Sequence, residues 1–159
     1  MLLPIEGDFE QSKRIEAQTA SSQPTHKRLW AEVVRSKLEQ QATALEAAGA
    51  PTAPLTALVS KVKSGDPENL EAQGAQCYWR LFFGDSFRRE RDSGGLNGLL
   101  NYGYTVLDAC TALAVIAAGL HPRIGLHHST DNAMRPVDDV MEPFRPGIDL
   151  KVWPLRRHG

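Results

Sequence analysis

Apolar residues recur at helical spacing through most of the chain. Trp30, Val34, Leu38 and Leu45, with Ala42 between them, keep one stripe from about residue 26 to 48 and predict a long amphipathic helix. Gly49 and Pro51 end it. Leu55, Leu58, Val59 and Val62 predict a shorter helical piece, broken at Ser64-Gly65. Asp66-Pro67 then predicts a helix start, because aspartate accepts from the free N–H groups of a first turn and proline has no donor to lose there. That helix is expected to reach Phe83, before Gly84-Asp85 and the loop signal Ser93-Gly94-Gly95. Residues 96–118 read as a helix apolar on nearly all sides, closed by Gly119. Its Gly98 and Gly103 predict close approach by another segment. A connection over residues 124–132 leads to Pro136, which opens a short helix bearing Asp138 to Glu142, with Pro143 and Pro146 marking its end. Sustained strand alternation is missing, so the fold class is mainly α.

Composition changes this picture little. The 159 residues fit one domain able to bury a core without staples, and a 42% hydrophobic share with 23% charge reads as globular. No signal peptide is visible. Residues 96–120 raise the question of a membrane span, but Asn97, Asn101 and Asp108 lie within them and clear flanking anchors are missing. A buried core helix, no membrane and a cytoplasmic location are therefore expected. Cys77 and Cys110 sit far apart in apolar helical patterns and read as buried small hydrophobes rather than a disulfide. A net charge of −1 predicts no nucleic-acid partner by itself. The distribution is more suggestive: Arg88, Arg89 and Arg91 cluster, as do Lys27, Arg28, Arg35 and Lys37, while acids concentrate near the C-terminus. A basic rim around an acidic pocket suits a metal enzyme acting on polyanions, and solvated charged faces would look the same.

Three segments carry candidate chemistry. Glu71 shares a helix face with Ala75, Tyr78 and Phe82, where a carboxylate needs a partner; spacing alone favours a salt-bridged or hydrogen-bonded core acid. His127 and His128 are adjacent on the connection, and could supply one ligand and one outer group, or serve as ordinary polar residues. Asp139 and Glu142 are three apart and face the same way on a helix, as paired ligands or as a solvated acidic first turn. Together they offer Glu, His and a further acid, a mixed oxygen and imidazole set that suits Mn²⁺ well and Mg²⁺ less well. A closed zinc site lacks cysteine spacing, and a serine nucleophile elbow is missing.

In this order, DPENLEAQGAQCYWRLFF (66–83), LNGLLNYGYTVLDACTALAVIAAGLHP (96–122), GLHH (125–128) and DDVMEPFRP (138–146) resemble the CRISPR-associated integrase and endonuclease, the nuclease subunit of the spacer-adaptation complex, in a form most like its type II lineage. LLPIEG near the start and HKRLWAEVVRSKL (26–38) also resemble that family. The resemblance implies a multi-helix catalytic domain without the family's N-terminal β domain, incomplete over residues 1–149, followed by a non-matching tail at 150–159 that is expected to be disordered. It implies a catalytic divalent metal, Mn²⁺ or Mg²⁺, bound by Glu71, His128 and Glu142, with Asp139 and His127 accessory and Arg88, Arg89 and Arg91 holding DNA phosphates. The implied reaction is phosphodiester transesterification by a DNA 3′-hydroxyl, or nicking by water, during spacer acquisition. The implied partners are double-stranded DNA (spacer precursor and repeat) and a small ferredoxin-like adaptation protein, with homodimerisation left open. The competing reading of the same residues is an inactive helical remnant that binds DNA or a protein partner.

Overall fold

The computed structural model describes residues 5–90, 93–122, 124 and 136–158. Seven α-helices are formed among them: α1 (Ile5–Thr19), α2 (Gln23–Ala47), α3 (Ala53–Val59), α4 (Leu70–Phe83), α5 (Leu96–Ala117), α6 (Pro136–Met141) and α7 (Arg145–Val152). A short 3-10 turn, Glu142–Phe144, links α6 to α7, and another, Trp153–His158, follows α7. No strand occurs among the described residues, so the mainly α expectation holds.

The stripe read along α2 is the floor of the larger core. Val34, Leu38 and Leu45 are fully buried and meet Leu55 of α3 and Tyr78 and Phe82 of α4. Each such side chain contributes about 1.5–3 kcal/mol over its exposed state. A second cluster joins Leu100 and Tyr104 of α5 to Met141 of α6 and Val152 of α7. Trp79 and Phe83 of α4 pack against both clusters. The helical turns from α6 to α7 therefore form the wall between the α2–α4 layer and α5, and they carry Glu142.

Two glycines set the closest helix approaches. A Cβ on Gly74 would lie 2.2 Å from Leu38 Cδ2, so α4 sits on α2 closer than any side chain would allow. A Cβ on Gly103 would lie 2.4 Å from Ile148 Cγ2, which places α5 equally tightly on α7. The expected close approach is thus found at Gly103; Gly98 meets nothing nearer than a backbone oxygen at 3.9 Å.

Four expectations change. The helix bearing Glu71 starts at Leu70, not at Pro67, because Asp66 and Asn69 take left-handed backbone conformations (φ 48° and 52°) and the intervening residues form a turn. Asp66 still caps the helix: its carboxylate accepts from the N–H groups of Leu70 (2.8 Å) and Glu71 (2.9 Å). Helix α5 is not a buried core helix, since only 22% of its most apolar stretch is buried and Tyr102 and Leu113 are 74% and 69% exposed. By length and composition alone it could cross a membrane; its inward face carries Asn97, Tyr104 and Thr111. Cys110 is exposed and Cys77 half-buried, both as free thiols. Finally, residues 150–158 are helical rather than disordered: Val152 is buried, and Trp153 donates its indole N–H to the Phe82 carbonyl at 3.1 Å.

Helix α1 had no apolar stripe to announce it. Polar contacts dock it instead: Arg14 donates to the Ala118 carbonyl (2.8 Å), and Gln18 exchanges hydrogen bonds with the backbone of His121 (3.1 and 2.8 Å).

Candidate metal centre

Glu71 sits in the first turn of α4, with its backbone N–H fixed by Asp66. Its side chain turns towards α2 and is ion-paired with Lys37, which also donates it a hydrogen bond. Glu142 reaches the same ammonium from the opposite wall. It opens the 3-10 turn after α6, and its Oε2 lies 2.5 Å from Lys37 Nζ. The other oxygen, Oε1, is 2.9 Å from Arg145 Nε, three residues along. Two carboxylates from distant parts of the chain thus converge on one cation. Lys37 and Glu142 side chains are each 10% exposed and Glu71 26%, so the cluster is largely withdrawn from water and depends on its internal pairing. Asp139, one turn before Glu142, is fully buried, which excludes the solvated acidic turn as its setting.

A second polar cluster lies behind Arg145. Asp149 of α7 is buried and accepts hydrogen bonds from the hydroxyls of Tyr78 (2.9 Å) and Tyr104 (2.5 Å). Burial pushes its carboxyl up to about 6, against the opposing pull of those two hydrogen bonds and of the Arg145 and Arg89 charges. Burial, reinforced by the Asp149 charge, raises both tyrosine hydroxyls, so they remain protonated donors. Arg145 stacks over the Tyr104 ring at 4.9 Å from its centroid. The side chain that steadies Glu142 is therefore itself seated on the Tyr104–Asp149 pair.

The expected phosphate-holding arginines divide. Arg89 is built into the fold: it donates to Asn97 Oδ1 (3.0 Å), Asn101 Oδ1 (2.6 Å) and the Glu90 carbonyl (2.8 Å), and lies over Tyr104. Arg88 is exposed and donates to its own loop at the Asp85 and Phe87 carbonyls. With Arg80, Trp79, Phe87 and Gln73 these two arginines line a groove of 620 Å³. A second groove of 410 Å³ runs past Arg89, Tyr104, Asp138 and Arg145 to the edge of the carboxylate cluster. Arg91, His127 and His128 lie outside the described residues.

Residues 5–159 match the family model described as CRISPR associated protein Cas1. The chain belongs to the Cas1 family. It is 38% identical to the CRISPR-associated endonuclease Cas1 of Neisseria meningitidis serogroup C over 160 residues, which take in 99% of this chain and 52% of that protein. A Cas1 endonuclease of Pyrobaculum aerophilum is 35% identical over 64% of this chain and 36% of its own length. One from Thermus thermophilus is 35% identical over 56% of this chain and 31% of its own. The chain therefore spans about half the length of the N. meningitidis relative, and less of the others. The Cas1 match runs through Gly159, so residues 150–159 belong to the family pattern and are not a foreign tail.

Sequence reasoning had placed Lys37 only in a basic surface cluster and did not single out Arg145, Tyr78 or Tyr104. The signal for Lys37 was its place beside Leu38 and three residues after Val34, on the side that α2 buries.

Proposed function

We propose that this Cas1 chain is the helical catalytic part of a divalent-metal-dependent DNA endonuclease and integrase that acts in CRISPR spacer acquisition in the cytoplasm. The observation that carries the reading is the convergence of Glu71 and Glu142 on one cation in a partly buried site. The residues fit a divalent ion in two further respects. Carboxylate oxygens are the donors that Mn²⁺ and Mg²⁺ prefer. Glu142 Oε2 is buried and, among the described residues, is held by its ion contact with Lys37 rather than by an aligned hydrogen bond, so a divalent ion could take that oxygen over from the ammonium. No set of three His, Cys, Asp or Glu close enough to hold a metal occurs among the described residues, and the third donor is assigned to His128, with His127 and Asp139 accessory.

A bound ion would polarise the scissile phosphate and stabilise charge on its oxygens. Glu71 and Glu142 would hold that ion, with Asp66 fixing the first and Arg145 the second. Arg88 and Arg80 would grip phosphates along the groove, while Arg89 shapes it. The attacking group would be the 3′-hydroxyl of a DNA fragment, or water when the outcome is a nick. Double-stranded DNA and a small ferredoxin-like adaptation protein are the proposed partners.

Incubation of the purified chain with a labelled duplex and Mn²⁺ tests this. Nicking or strand joining is expected, and Glu71→Ala or His128→Ala should abolish it. Absence of both reactions, where a full-length relative is active, would refute it. The ion pairs themselves support a second reading, in which Lys37, Glu71 and Glu142 form a purely structural cluster in a DNA-binding scaffold. That reading requires DNA binding that weakens with salt and ignores metal.

A further inference from the structure

We infer that Lys37 is a resident cation of the carboxylate site, holding Glu71 and Glu142 together when no divalent ion is bound and giving up their oxygens when one is. The inference rests on the metal-site reading above and goes beyond it, by assigning the ammonium a competing role.

Geometry singles out Lys37 among the basic side chains nearby. Its Nζ contacts Glu71 Oε1 and Glu142 Oε2, one oxygen from each side of the site, whereas Arg145 contacts only Glu142 and through the other oxygen. An ammonium bridging two carboxylates fills the position that an ion sharing those same oxygens would take. The two pairings also differ in kind. Both contacts with Glu142 are ion pairs without an aligned hydrogen bond, but Arg145 is fixed by stacking on Tyr104, while Lys37 has a flexible four-carbon stem. Displacement should therefore fall on Lys37.

Charge gives the same direction. Two carboxylates and two cations, Lys37 and Arg145, balance without a metal. A divalent ion placed beside an unmoved ammonium would meet like-charge repulsion at short range in a site partly screened from water. The lysine therefore keeps the carboxylates paired and gathered, at a cost in metal affinity. It acts through the ligands and is a positioning residue.

Lys37→Met, close in length and without charge, separates these effects. In chelator the variant should melt about 5–10 °C below the parent chain, because two carboxylates lose their shared partner. In saturating Mn²⁺ that deficit should close. Titration calorimetry or Mn²⁺ paramagnetic resonance should show binding at least ten-fold tighter than in the parent. Lys37→Arg, which keeps the charge, should stay near the parent in chelator and bind Mn²⁺ no tighter. Should the Met variant not fold, acetylation footprinting of the parent provides the same reading: Lys37 should react several-fold faster with Mn²⁺ than with chelator. Equal or weaker Mn²⁺ binding by Lys37→Met, or Lys37 reactivity unchanged by bound Mn²⁺, would overturn the inference and leave the metal site standing. No Mn²⁺ binding by either protein would overturn the metal reading itself, and the displacement with it.

Discussion

Replacing Asp149 by asparagine removes one buried charge while keeping the size of the side chain. In the native protein that carboxyl titrates at about 6 against an ordinary value of 3.8, with burial the largest cause. A carboxylate raised in this way is harder to ionise folded than unfolded. Its contribution to stability is therefore complete below the unfolded value and is lost as pH rises through the folded one. Two pH units at about 1.4 kcal/mol each put the full effect at roughly 3 kcal/mol. Between pH 7 and pH 4.5 about 2 kcal/mol of it should return, over the 1.5 or so units below the folded value. The assay is urea unfolding of parent and Asp149→Asn at both pH values, with the m-value checked for constancy. Other carboxylates affect both proteins alike, so the informative quantity is the difference between them. The parent should gain about 2 kcal/mol relative to the variant on going to pH 4.5. A difference independent of pH, or one that grows in the parent's favour as pH rises, would refute the reasoning. It would mean that the hydrogen bonds from Tyr78 and Tyr104, with the Arg145 charge, outweigh burial.

Two further outcomes follow from the packing and the grooves. Gly74→Ala forces a Cβ to within 2.2 Å of the buried Leu38 side chain and should cost about 1–3 kcal/mol in thermal or urea unfolding, and a double-mutant cycle with Leu38→Ala should show a combined loss smaller than the sum of the two single losses. Arg88→Ala should leave the melting temperature unchanged and lower the salt slope of duplex binding by about 0.9, read by fluorescence anisotropy, whereas Arg89→Ala should also lower the melting temperature because Asn97 and Asn101 each lose a hydrogen bond.

The helices α2, α4 and α5 were legible because their apolar residues repeat along one segment, and a repeat survives in sequence whatever the neighbours do. Their ends were legible where glycine or proline stands, as at Gly49 and Gly119, and misread where a side chain overrode the rule, as at Asp66. Helix α1 escaped because hydrogen bonds from Arg14 and Gln18 dock it, and single polar residues carry no period. Likewise, the apolar content of α5 suggested burial, but content does not say how many neighbours will cover a helix.

Sequence by itself determined the helical class and the family, since these depend on order and spacing along the chain. Only the tertiary structure brought Glu71 and Glu142 onto one ammonium, turned Lys37 from a surface charge into a buried one, and seated Arg145 on Tyr104 and Asp149. Those outcomes depend on how closely helices cross. Here the missing side chains of Gly74 and Gly103 set that distance, one turn from Glu71 and one residue from Tyr104. A charge pair exists only where two helices meet, and no spacing within either helix contains the meeting point.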